Sequence, residues 1–166
     1  NNEYWLFQDA KLRQDFNITT GDKADDVMHY KLKSEMKAYY HKANVPTARY
    51  HIVSTLEAGK EFISKVGYPV VVKPNNGVGS SATWKICNEG ELEDFYKIQL
   101  PHEYIMEEYV PGYILSFDGI VDENNKIVYR TCHIFPNPVM EIVNGKTDCV
   151  FWNEIDIPKD LNQMGE

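Results

Sequence analysis

The stretch Tyr68–Ile86, YPVVVKPNNGVGSSATWKI, restricts the fold of this chain more than any other. It reads as a short apolar strand ending in Lys73, a loop carrying Gly77, Gly79, Ser80 and Ser81, and a second strand. Val71 and Lys73 are two apart, so on a strand they share a face, an apolar wall beside a cation. A lysine leaving an apolar strand next to a glycine loop suits a polyphosphate. Its ammonium neutralises oxygens, and glycines let backbone N–H groups approach them closely. The lysine precedes the glycines, so the loop is not GxxxxGK[ST]. Ala82 and the absence of a following helix exclude GxGxxG. A Gly/Ser hairpin is also an ordinary turn, and the loop alone leaves both readings open.

Punctuation along the chain places this hairpin inside an alternating pattern. Residues 3–16 read as a helix with Tyr4, Trp5, Phe7 and Leu12 seeking a partner surface. One longer helix is expected over 22–43, with Val27, Leu32, Met36 and Tyr39 near helical spacing. Asn44 suits a left-handed C-terminal cap, and Pro46 forbids continuation. A strand follows over 48–54, and Ser54 with Glu57 matches a capping box. The helix it opens closes at Gly67 and Pro69. Asn88 with Glu91 announces another helix, ending near Leu100 and Pro101. Residues 104–110, 113–121 and 126–135 are strands joined by Pro111-Gly112 and by a turn over 122–125. The order is two helices, β-α-β-β-α-β, then a mostly antiparallel β meander, an α+β pattern. The tail IPKDLNQMGE shows no closing element, as expected of a piece cut from a longer protein.

With 166 residues, 43% of them hydrophobic, the chain can bury a real core and form two compact lobes. No apolar run approaches a membrane span, and the start NNEYWLFQD resembles no targeting segment. The net charge of −8 argues against nucleic-acid or membrane-surface partners. The charge is uneven. Residues 31–73 hold eight Lys/Arg against three acids, whereas 74–166 hold six against sixteen. A basic stretch converging on one loop fits an anionic ligand, and two ordinary solvated faces give the same count. Cys87, Cys132 and Cys149 form no CxxC pair and read as buried, reduced thiols in a cytoplasmic protein. The five histidines show no metal-ligand spacing. His133 and Arg130 either line a substrate pocket or play a satisfied structural part.

Three phrases flank the hairpin at informative distances. Lys33 lies thirteen residues before Pro46 in KSEMKAYYHKANVP. IMEEYVPG, residues 105–112, is a strand end offering a carbonyl and an amide side by side. SFDG follows at residues 116–119. Taken in order, K33…NVP, YPVVVKP, NNGVGSS, MEEYVPG and SFDG resemble the ATP-grasp superfamily, which includes D-alanine–D-alanine ligase, biotin carboxylase and carbamoyl-phosphate synthetase. The resemblance runs from about Lys31 to Val121.

That resemblance implies a division of the chain. Residues 1–21 would be the end of a preceding domain or linker. Residues 22–103 would form the first ATP-grasp subdomain, and 104–166 the hinge and part of the second. It also implies roles. Lys33 and Lys73 would bind phosphates, and the loop Gly77–Ser81, with Gly79 and Ser80, would close over the β/γ-phosphates. Glu107 through Val110, including Tyr109, would be the hinge. There the Glu107 carboxylate and Glu108 carbonyl would take the adenine amino group, and the Val110 N–H would reach N1. Val71 and Met106 would touch the purine. The bland alternatives are a solvated helix face for Lys31, Lys33 and Lys37, and an edge charge pair for Glu107 and Glu108. The latter two are adjacent on a strand and so do not form an acid/base pair.

Two departures from the family pattern stand out. Ile114 occupies the place of a ribose-gripping Glu, with Ser116 and Asp118 on the same strand face as possible substitutes. No Glu followed by a Glu-x-Asn pair occurs on strands of the second half before Glu166, so Mg²⁺ ligands are expected beyond it and no metal ligand is assigned within the chain. The expected function is the ATP-binding part of an ADP-forming ligase that activates a carboxylate as an acyl phosphate for attack by an amine. The fragment alone is expected to be inactive. The alternative is a catalytically silent nucleotide-binding or interaction module of the same fold.

Overall fold

A computed structural model describes residues 3, 5–77, 82–146 and 148–166. The chain divides into two units, Asn1–Val110 and Pro111–Glu166. The strand expected to open the later subdomain at residue 104 pairs inside the first unit, so the division falls seven residues later, after Val110.

The first unit begins with α1 (Leu6–Asp15), α2 (Ala24–Lys31) and α3 (Lys33–Lys42). The single helix expected over 22–43 is therefore two. Leu32 between them is extended, with φ −87° and ψ 123°. Leucine is a good helix former, so nothing local predicts this break. Its cause is tertiary: Asn75 accepts the Lys33 N–H through its backbone oxygen at 3.0 Å and the Ser34 N–H through Oδ1 at 2.9 Å. A residue remote in sequence thus caps α3 where Leu32 cannot. The other end behaves as read. Asn44 sits at φ 57°, and the bonds Asn44 N–H to His41 O and Val45 N–H to Tyr40 O form a Schellman closure.

A four-stranded antiparallel sheet follows, built from β1 (Tyr50–Ile52), β2 (Val70–Pro74), β3 (Trp84–Ile86) and β4 (Tyr104–Glu108) in the order β1-β4-β2-β3. Helix α4 (Leu56–Val66) joins β1 to β2, and α5 (Glu89–Tyr96) joins β3 to β4, giving the expected β-α-β-β-α-β order. The α4 cap is Thr55, whose Oγ1 accepts the Ala58 N–H at 3.2 Å, one residue beyond the expected Ser54. Asn88 caps α5 as read, accepting the Glu91 N–H at 3.0 Å.

Register assigns the two faces. Val72 lies opposite Met106, and Val70 opposite Ile86. These side chains pack with Ile63 of α4 and with Leu92 and Phe95 of α5 in the main core. Burying each large apolar side chain there stabilises the unit by roughly 1.5–3 kcal/mol. The opposite face carries Tyr50, Val71, Lys73, Lys85, Ile105 and Glu107, because Val71 pairs with both Lys85 and Glu107, and Lys73 with Ile105.

The second unit is a three-stranded antiparallel sheet, β5 (Ile114–Val121), β6 (Ile127–Phe135) and β7 (Trp152–Glu154), with α6 (Val139–Gly145) and α7 (Lys159–Gly165). The β5–β6 turn forms where read: Asp122 Oδ1 accepts the N–H groups of Asn124 and Lys126 at 2.8 and 2.9 Å. The tail, read as having no closing element, forms α7.

All three cysteines are unpaired thiols, but the expectation that they are buried holds only for Cys132; Cys87 and Cys149 are exposed. Burial pushes the Cys132 thiol above its usual range. Among the described residues no helix is long and apolar enough to cross a membrane.

Candidate nucleotide-binding site

The face of β2 and β4 turned away from α4 and α5, which α3 approaches, gathers most of the charges singled out in the sequence. Lys73 Nζ lies 2.5 Å from Glu107 Oε2. The other oxygen, Oε1, is 2.9 Å from Lys37 Nζ. Glu107 is only 7% exposed, so two cations compensate a carboxylate largely removed from water. Lys37 also donates to Ala48 O at 2.9 Å, and its ammonium lies 5.5 Å from the centre of the Tyr50 ring.

Lys33 stands one helical turn before Lys37 and donates to Gly77 O at 2.8 Å. Burial, followed by the nearby Lys73 ammonium, lowers its pKa, with Glu107 opposing. Three ammonium groups against two carboxylates, Glu107 and Glu3, leave a small local surplus of positive charge beside the start of the glycine loop. Lys33 and Gly77 line a cavity of about 270 Å³ together with Tyr30, Lys31 and Met36. In a continuous helix Lys31 and Lys33 would point about 200° apart; the break at Leu32 lets both line one cavity.

Asn75 holds this arrangement together. It is 1% exposed, and its Nδ2 donates to Ser34 Oγ at 2.9 Å and Glu103 Oε1 at 2.6 Å. Since its backbone and Oδ1 also cap α3, Asn75 ties the helix bearing Lys33 to the strand end bearing Lys73.

The remaining expected positions divide. Val71 shares the charged face with Lys73 and Glu107. Met106 does not: it is fully buried on the opposite face with Val70 and Val72, because adjacent strand residues alternate sides. Met106 therefore does not share the face of Lys73 and Glu107. Ile105, which pairs with Lys73, holds the corresponding position on the charged face. Glu108 also points away and binds Arg49, accepting from its backbone N–H at 2.8 Å and its Nε at 2.7 Å. Those bonds hold its carboxyl below the usual range. Tyr109 lies under Lys85, whose Nζ is 4.2 Å from the ring centre, and Val110 is exposed. Gly79, Ser80 and Ser81 lie outside the described residues.

Lys37 and Asn75 were not assigned from sequence. Lys37 carried a legible signal, four residues after Lys33 on one helix face, but it reads equally as a solvated charge. Asn75 carried none, being a polar residue in an apparent loop.

The second unit has its own polar cluster. Ser116 donates to Asp118, and His133 Nδ1 lies 2.8 Å from Asp118 Oδ2. The hydroxyl bond, then the imidazole, hold the Asp118 carboxyl below the usual range. Ser116 donates to the carboxylate rather than to the imidazole in this chain of contacts, which gives no activated nucleophile. Ile114 lies opposite Phe135 on the same face. Arg130 and His133 are three apart on β6 and so face opposite sides. Arg130 instead pairs with Glu166 and lines a separate cavity of about 560 Å³ with Asp156, Lys159 and Asn162.

Residues 33–105 match the family described as carbamoyl-phosphate synthase L chain, ATP binding domain. The fold is similar to the biotin carboxylase domain of Hydrogenobacter thermophilus 2-oxoglutarate carboxylase in complex with MgADP, ADP and bicarbonate. The TM-score is 0.70 at 20% identity, covering 81% of this chain and 33% of that one. The family match covers under half of the chain, and over a larger part the chain shares its fold with such ATP-binding proteins. Its α+β architecture is the ATP-grasp fold. The carbamoyl phosphate synthase large chain of Agathobacter rectalis is 27% identical over 112 residues, 65% of this chain and 10% of that protein. D-alanine–D-alanine ligase A of Clostridium perfringens is 42% identical over 72 residues, 42% of this chain and 24% of the ligase. The chain thus spans a quarter or less of either curated relative's length.

Proposed function

We propose that this ATP-grasp chain is the ATP-binding portion of an ADP-forming ligase that makes C–N bonds. The observation that carries the reading is the cluster of Lys33, Lys37 and Lys73 around the single buried carboxylate Glu107, beside Gly77. Burial first and the Lys73 ammonium second disfavour the charged form of Lys33, and an anionic polyphosphate beside both ammonium groups would favour it again. Lys33 and Lys73 neutralise phosphate oxygens, and loop amides from Gly77 to Ser81 assist them. Val71 offers apolar surface to the purine, and the Glu107–Val110 edge supplies its hydrogen-bonding partners.

In the proposed reaction a carboxylate oxygen attacks the γ-phosphorus and ADP leaves. A nitrogen nucleophile then attacks the acyl carbon, and inorganic phosphate departs. Catalysis of this kind rests on positioning and charge neutralisation. Mg²⁺ would screen phosphate charge. Among the described residues no group of three His, Cys, Asp or Glu could hold an ion, so no step is derived through it. The carboxylate and amine substrates are proposed only as classes, and the cytoplasm as the compartment.

A second reading, a nucleotide-binding module without chemistry, is favoured by Ile114, an aliphatic side chain where the family pattern has a sugar-binding acid. Titration calorimetry with ATP, with and without Mg²⁺, tests binding. The expected result is saturation below about 1 mM ATP, with affinity lost in Lys73→Ala by about tenfold or more. Binding that ignores Lys73→Ala would sink the site. Release of ADP and phosphate only when a carboxylate and an amine are both supplied favours the ligase; binding without turnover favours the silent module.

A further inference from the structure

Resting on the ATP-binding reading above, we propose that Lys37 is a positioning residue for the nucleotide: it holds the charge of Glu107 so that the Lys73 ammonium can turn to phosphate oxygens. Both oxygens of Glu107 are engaged, Oε1 by Lys37 at 2.9 Å and Oε2 by Lys73 at 2.5 Å. The two cations are not equivalent. The Lys73 side chain is 29% exposed, whereas that of Lys37 is 11% exposed and fixed by a further bond to Ala48 O. The exposed cation is the one a ligand can recruit, and the enclosed one is the one that stays.

A carboxylate this buried is strongly disfavoured without a counter-charge. If Lys73 alone balanced Glu107, a polyphosphate drawing Lys73 outward would leave the carboxylate unpaired. The site would then either hold Lys73 back and bind weakly, or take up a proton. Lys37 removes that conflict. Lys33 does not substitute for it, since its ammonium is directed to Gly77 O. The charged and titratable groups facing Glu107 are Lys33 and Lys37 from α3, Lys73 from β2 and Tyr50 from β1, with Lys85 of β3 on the same face.

The test is calorimetric ATP binding by the intact protein in buffers of different ionisation enthalpy, comparing wild type, Lys37→Met, Lys37→Arg and Lys37→Met/Glu107→Gln. Subtracting the wild-type proton count removes the contribution of the ATP phosphates. Lys37→Met is expected to bind ATP about tenfold or more weakly. It should take up to about one extra proton per ATP, so its affinity falls as pH rises from about 6 to 8. Lys37→Arg should restore wild-type behaviour. In the double variant, removing the carboxylate's charge should recover affinity and abolish the extra proton. A purely structural lysine would produce neither the proton count nor that recovery. A Lys37→Met variant with wild-type affinity and proton count overturns the role of Lys37, and so does a double variant that recovers neither. Wild type that fails to bind ATP at about 1 mM overturns the nucleotide reading itself.

Discussion

At the scale of single residues, the site depends on side chains whose identity shows little of their work. Asn75 is the plainest case, because one buried amide satisfies a helix end, a hydroxyl and a carboxylate across three segments. Asn75→Ala leaves those partners unsatisfied and should cost about 2–3 kcal/mol in urea unfolding. ATP affinity should fall with it, because Lys33 and Lys73 lose their common anchor. Unchanged stability would remove Asn75 from that role. Arg49 and Glu108 give a pH-dependent counterpart. Glu108's folded-state pKa lies below its ordinary value, so its contribution is present above about pH 4.5 and lost as pH falls through the depressed value. Urea midpoints measured from neutral to acidic pH should show this loss in wild type and a smaller one in Arg49→Ala.

At the scale of elements, local signals predicted where chain segments begin and end better than how long they run. Asn88, Asn44 and the 122–125 turn act where their sequence places them, because each depends on atoms within a few residues. The α4 start was read one residue early, at Ser54, because Ser54 and Thr55 are both competent caps. The structure uses Thr55, so Thr55→Ala should destabilise the protein by about 1 kcal/mol while Ser54→Ala changes little. Equal effects of the two changes would contradict the observed cap. The break between α2 and α3 was not legible, since its donor–acceptor partner lies on β2. The faces of β4 were legible in principle by alternation. Met106 and Glu107 cannot both face a ligand, and only the register to β2 says which one does.

For the whole molecule, the two units differ in how much they enclose. The first holds Val70, Val72, Leu92, Ile105 and Met106 essentially out of solvent. In the second, Cys132 and Ile142 are the buried apolar side chains among the described residues, and Ile120, Val121, Val128 and Tyr129 are exposed. Hydrogen exchange should therefore be slowest in β2 and β4 and faster in β5–β7, since opening energies follow buried apolar contact. Equal protection of the two sheets would contradict this difference.

The amino-acid sequence by itself determined the β-α-β-β-α-β order of the first sheet, most caps and turns, and the placement of a lysine beside a glycine loop. Those features depend on backbone preferences and on spacing along one strand or helix. Only the tertiary structure decided that α3 starts at Lys33, that Lys37 pairs with Glu107 and that Met106 lies on the opposite face. Each of those outcomes depends on a partner remote in sequence: Asn75 for the helix end, Glu107 for the lysine and the β2 register for the methionine. A hydrogen bond or ion pair of that kind forms only after the sheet has set which residues share a face.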